Sequence, residues 1–218
     1  DPITNQVKIS GFYDDVIQFY NFDYGSLIAR DHLANLNDYY RLGTHANDDF
    51  FQNIWFQPTL DCNGIISGFV DEGAKTVIPN TLNLKFSCRL VPNQDPYTMI
   101  QLISDYFSSN LPTTFKVSID NFNTAASPLM TDIESPFIQC AKQALSDTYK
   151  KDILVQGEGG SIPILKGFQD MFNTPVVLIG LNAPNDNIHA PNERFSVNHY
   201  RYGIETYIRY LSYISNDY

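Results

Sequence analysis

From Ser135 onward the chain alternates between amphipathic and wholly apolar segments, and this order limits the fold more than any other feature. Ser135-Pro136 opens a helical pattern with Phe137, Ile138, Ala141, Ala144 and Leu145 on one side, and Ile153-Leu154-Val155 is a short apolar run ending at a glycine-rich turn. Pro163 opens a second helical pattern with Leu165, Phe168 and Phe172 inward, and Val176 to Leu181 is a second apolar run. Val197, Tyr200, Ile204, Tyr207, Ile208, Leu211 and Ile214 then recur at i, i+3, i+4, i+7 spacing, which predicts a last amphipathic helix. Helix, strand, helix, strand, helix calls for a parallel sheet, because parallel neighbours need crossover connections and helices supply them. Two such strands would leave long edges unpaired beneath three helices. The expectation is that most of the sheet lies outside these 218 residues and that the sequence is the C-terminal part of a longer protein. That it opens on Asp1 and not Met points the same way.

The first half has a different grain. A helix is expected from Gly25 to Tyr40, carrying Leu27, Ile28, Leu33 and Leu36, and strand-like character from Asn53 to Phe69 in Ile54-Trp55-Phe56 and Ile65-Ile66. The clearest strand runs from Thr81 to Val91, with Leu82, Leu84, Phe86, Cys88 and Leu90 on one face and Thr81, Asn83, Lys85, Ser87 and Arg89 on the other. Asp95-Pro96 reads as N-cap and first helical residue, ahead of Met99, Ile100, Ile103, Tyr106 and Phe107 on one helical face. Phe115, Val117 and Ile119 alternate as a further strand. Residues 1–124 therefore read as an α+β unit of the ferredoxin-like kind without its opening strand and helix, and 125–218 as part of an α/β domain.

Composition narrows the partners. A formal net charge of −10 argues against nucleic acid and against an anionic membrane surface, both of which reward clustered Lys and Arg. No apolar run approaches the length of a membrane span. Cys62, Cys88 and Cys140 are odd in number and widely spaced, so neither a disulfide framework nor a thiolate zinc site is indicated, and a reducing, cytoplasmic setting is expected.

Two segments, Gly157-Glu158-Gly159-Gly160-Ser161-Ile162-Pro163 and Asn187-Ile188-His189-Ala190-Pro191-Asn192-Glu193, fall where apolar runs hand over to helices, the edge at which open α/β sheets place their sites. His189 is either a metal ligand or acid-base group in that crevice or a loop histidine bonded to backbone. His32, His45 and His199 read as surface or packing residues. Gly159-Gly160-Ser161-Ile162-Pro163 fails the nucleophile-elbow pattern at its last position; its glycines let backbone approach a ligand, with the N–H groups at Ser161 facing an anion, or else form an ordinary turn. Glu158 is a partner for a ligand amine or a solvated charge. Arg89, on the open face of the best strand, could clamp a carboxylate with its planar fork, and Thr76, after Gly73-Ala74-Lys75, could donate one more hydrogen bond; both also suit plain surface positions.

Taken in order, Gly73-Ala74-Lys75-Thr76-Val77-Ile78-Pro79, Phe86-Ser87-Cys88-Arg89-Leu90-Val91-Pro92-Asn93-Gln94-Asp95-Pro96, Glu158-Gly159-Gly160-Ser161-Ile162-Pro163 and His189-Ala190-Pro191-Asn192-Glu193 resemble the C-terminal portion of a dinuclear-zinc exopeptidase. The family is that of carnosinase, cytosolic nonspecific dipeptidase, carboxypeptidase G, acetylornithine deacetylase and succinyl-diaminopimelate desuccinylase. Its dipeptidase branch is the nearest, and Gly11-Phe12-Tyr13-Asp14-Asp15-Val16 resembles that branch too.

The resemblance implies a lid and dimerisation domain over 1–124 and the C-terminal part of a three-layer α/β catalytic domain over 125–218. It implies that His189 ligates one of two zinc ions, with Co or Mn as alternatives. Arg89 and Thr76 would hold the substrate carboxylate, reaching across a homodimer, and Glu158, Gly160 and Ser161 would line the substrate loop. The implied substrate is a dipeptide or an N-acyl amino acid, cleaved by a metal-bound hydroxide; deacylation, or a non-catalytic dimerisation or ligand-binding module from a dead relative, are the alternatives. Two departures stand out. Gly157 occupies the place where the dipeptidases usually carry Arg, and the family's other zinc ligands and its general base have no counterpart here. The 218 residues alone are therefore expected to bind zinc poorly and not to hydrolyse peptides.

Overall fold

The computed structural model describes residues 1, 6–17, 50–120, 125–160, 162–183 and 185–217. The expected helix at Gly25 to Tyr40, His32, His45 and Ser161 lie outside the described residues. Contacts divide the chain into two compact units, Asp1–Leu129 with Gly157–Lys166, and Met130–Gln156 with Gly167–Tyr218.

In the first unit, α1 covers Phe50–Phe56. The sequence reading gave Ile54-Trp55-Phe56 to a strand, and the structure corrects it: the β preference of these residues depends on cross-strand packing that they do not have here, and the helix they close stops just short of Pro58, whose ring disfavours helical geometry before it. Then follow β1, Thr59–Ser67, and β2, Leu82–Arg89, an antiparallel pair in register from Thr59 opposite Arg89 to Ser67 opposite Leu82. The register slips between Cys62 and Gly64, so Asn63 is the extra residue of a bulge. The slip decides which side chains share a face: Leu60 and Cys62 before it, and Ile65 after it, all fall on the side of Leu84, Phe86 and Cys88.

Helix α2, Pro96–Asn110, begins as expected: Asp95 accepts the Thr98 amide at 2.8 Å and the Thr98 hydroxyl at 2.9 Å, which holds its carboxyl below the usual range. Met99 of α2 joins Ile9 and Phe12 at the centre of the unit's core, with Leu60, Cys88, Leu90, Leu102 and Ile103 packed around them. The apolar face of β2 is covered at its Cys88 end, whereas Leu82 stays 57% exposed at the other. Gln94 is buried and stitches this core together, its Nε2 donating to Phe12 O at 2.8 Å and its Oε1 accepting from Val91 N at 3.1 Å. Phe115, Val117 and Ile119 form no ladder, since the described residues offer them no partner strand; Phe115 N closes a turn onto Pro112 O instead.

In the second unit α3, Pro136–Tyr149, packs against α5, Val197–Asp217. Cys140, Ala141, Ala144 and Thr148 of α3 are buried, and the two helices meet through Tyr149, whose ring stands edge-on to His199 at 6.3 Å and to Tyr202 at 5.1 Å. Tyr213 donates to Asp147 at 2.7 Å; together with Gln143, the stronger influence, it holds that carboxyl below its usual range. In sequence between these helices comes α4, Ile164–Phe172, which begins in the first unit and ends in the second.

Two expectations are revised here. Ile153-Leu154-Val155 and Val176 to Leu181, expected as buried strands, form no ladder among the described residues. Phe168 and Phe172 of α4, expected to face inward, are exposed, as are Tyr200, Ile204, Tyr207, Ile208 and Leu211 along the stripe of α5. Periodicity marks a face that wants cover, and the α5 residues that meet α3, among them His199, Tyr202 and Tyr213, lie off that stripe. The overall class, a mixed helix and strand fold of the α/β kind, stands as expected.

Candidate active site residues

The glycine-rich turn is held in the first unit against the end of α1. A Cβ built on Gly157 would stand 2.6 Å from Trp55 Cβ, and one on Gly159 would fall on the Ile54 carbonyl oxygen. Glycine is required at both positions because the turn passes over its own chain, whatever else approaches it. Trp55 and Ile54 are the residues that sequence reasoning missed in this role; Pro58 was the signal that their helix ends there.

Arg89 closes β2 and donates from Nη1 to Gly159 O at 3.3 Å. Glu158 turns back on its own loop, Oε1 accepting the Gly160 amide at 2.7 Å. The structure thus gathers Arg89, Glu158, Gly159 and Gly160 into one exposed cluster. Thr76 lies on the 68–81 connection, which leaves and re-enters the hairpin at the Ser67 and Leu82 end, while Arg89 pairs with Thr59 at the other. Burial, then the Asp61 carboxylate, push the thiol of Cys88, beside Arg89, up to about 11, so it stays protonated at neutral pH.

In the second unit His189 stands on the loop before α5, exposed and with a left-handed backbone at φ 60°. Asn187 and Asn192 on either side are left-handed too, at φ 55° and 61°. Two backbone bonds shape the loop, Ala190 N to Asn187 O at 3.0 Å and Arg194 N to Asp186 O at 2.9 Å. An exposed imidazole is a suitable metal donor. The described residues hold no group of three or more His, Cys, Asp or Glu able to bind a metal ion. Among them no helix is long and apolar enough to cross a membrane.

Comparison with known proteins decides the family. The model of the peptidase family M20/M25/M40 matches residues 21–213. The chain belongs to this family. It is 33% identical to the Cys-Gly metallodipeptidase DUG1 of Saccharomyces cerevisiae over 175 residues, which are 77% of this chain and 35% of that protein. To the human Beta-Ala-His dipeptidase it is 25% identical over 201 residues, 88% of this chain and 39% of the relative. Among solved structures, the dipeptidase Dug1p of Saccharomyces cerevisiae superposes with a TM-score of 0.73 at 26% identity, over 97% of this chain and 45% of that one. The metallo-carboxypeptidase Sso-CP2 of Sulfolobus solfataricus shares the fold, with a TM-score of 0.77 at 23% identity over 94% of this chain and 48% of its own. The chain spans less than half the length of these M20 relatives. Trp55 packs against the space that any side chain at Gly157 would enter.

Proposed function

We propose that the intact protein is a zinc-dependent exopeptidase that hydrolyses dipeptides, or short amides ending in a free carboxylate, with residues 1–124 as lid and dimerisation module and 125–218 as part of the catalytic domain. The observation that carries the reading is Arg89, fixed at a strand end and hydrogen-bonded to the glycine-rich turn in a chain of the M20 family. A guanidinium so placed can turn its remaining donors to a carboxylate.

In this reading His189 is one ligand of a two-zinc centre whose other ligands lie outside this chain. Zinc, when bound, supplies Lewis acidity and lowers the pKa of a bound water to about 7. The part played by this chain is positioning. Arg89 fixes the carboxylate end of the substrate, Gly160 and Ser161 line its path, and Glu158, by closing the turn onto Gly160, keeps that path in shape. Thr76, in the same reading, serves the partner's site across a homodimer. A cytoplasmic setting agrees with three free cysteines.

The test is hydrolysis by the intact protein of a dipeptide, its C-terminal amide and the matching N-acetyl amino acid, before and after chelation. Chelation should abolish dipeptide cleavage and zinc restore it, and the amide should be poorer by about 10- to 100-fold, the worth of a hydrogen bond to a charged group. Cleavage that survives exhaustive chelation would overturn the proposal. Preference for the acetylated substrate would move it to deacylation.

A further inference from the structure

Asp186 is only 3% exposed, on a loop whose neighbouring residues largely face solvent. A carboxylate taken out of water is costly unless it is hydrogen-bonded. Its Oδ2 accepts the Ala183 amide at 2.7 Å, its own amide donates to Ala183 O at 3.1 Å, and its carbonyl accepts the Arg194 amide at 2.9 Å. Arg194 returns the tie through Nε, which donates to Asn185 O at 3.1 Å. One residue therefore fastens both ends of the segment from 183 to 194. Inside the fastening sit the left-handed residues Asn187, His189 and Asn192. Asparagine tolerates that geometry, but at His189 it costs about 1–2 kcal/mol and persists only where the surroundings impose it.

We propose that Asp186 is a positioning residue for His189: its buried carboxylate closes the 183–194 loop into the shape that presents the imidazole to a metal ion. The inference rests on the reading of His189 as a zinc ligand. Burial and the Ala183 bond place Asp186 in the loop's support and not among the ligands, so what matters is an acceptor at this point and not the charge.

The test uses the intact protein, stripped of metal, with zinc affinity measured by chelator competition and amide hydrogen exchange followed over residues 183–194. Asp186→Ala should weaken zinc binding by about 10- to 100-fold, the range for loss of a ligand's support, and speed exchange in this segment while the α3 and α5 amides stay protected. Asp186→Asn keeps an acceptor oxygen and should restore both properties to within a few-fold. His189→Ala should weaken zinc binding without speeding exchange. Wild-type zinc affinity in Asp186→Ala, beside a weakened His189→Ala, would overturn the positioning role, as would an Asp186→Asn as damaging as the alanine. If His189→Ala itself binds zinc normally, the ligand reading fails instead. Should Asp186→Ala not fold, Asp186→Glu decides: it displaces the acceptor by one methylene, so weakened zinc binding supports the role and wild-type affinity overturns it.

Discussion

Arg89→Ala in the intact protein should lower kcat/KM by about 10- to 100-fold for substrates with a free carboxylate and leave C-terminal amides nearly unchanged. The reasoning is local. Arg89 is the last residue of β2, paired across the hairpin with Thr59, so its backbone is fixed while its guanidinium reaches the glycine-rich turn. A charge-assisted hydrogen bond contributes about 1.5–3 kcal/mol, and each 1.4 kcal/mol is a factor of ten. If the bond forms equally in the ground and transition states, the loss appears in KM; if it tightens as the amide is attacked, it appears in kcat. Arg89→Lys should recover only part, since an ammonium cannot make the paired bonds of the planar fork. Equal losses on acid and amide would show that Arg89 only supports the turn.

The second large effect concerns stability. Phe12 is fully buried against Ile9 and Met99, with the Tyr13 ring edge-on at 5.1 Å. Its backbone carbonyl accepts the Gln94 side chain, so the aromatic anchors a buried polar tie as well as the apolar cluster. Phe12→Ala should destabilise the unit by about 3–5 kcal/mol through lost transfer energy and the cavity left behind. Denaturant unfolding followed by a probe in the first unit would show this as a lower midpoint with little change in slope. A loss under about 1 kcal/mol would mean that the site collapses around the alanine and that Phe12 is not central to the core.

The elements that announce themselves locally were legible in the sequence. Alternation from Thr81 to Val91 became β2, Asp95-Pro96 became the start of α2, and Ser135-Pro136 the start of α3, because side-chain period and capping chemistry act within a few residues. What needs a partner was not legible. The apolar runs at Ile153 and Val176 have the composition of buried strands, yet no neighbouring backbone among the described residues turns them into a ladder. The stripe from Tyr200 to Leu211 was correctly seen as one face, but that α3 meets α5 off the stripe, through His199, Tyr202 and Tyr213, carries no periodic signal.

The candidate site divides in the same way. Arg89, the glycine turn and His189 were found from residue type and motif order. That Gly157 and Gly159 make way for Trp55 and Ile54 could not be read from the turn itself, since the reason lies a hundred residues earlier in the chain. Asp186 was passed over because an Asp within Pro-Asn-Asp-Asn reads as an ordinary turn residue, and only its burial sets it apart.

The central claim, that this chain lends one imidazole to a metal centre completed elsewhere, is tested most directly by the zinc content of the intact protein with and without His189. After dialysis against a weak chelator, the wild type should keep two zinc ions per chain and His189→Ala no more than one. Equal zinc content in the two proteins would contradict the account.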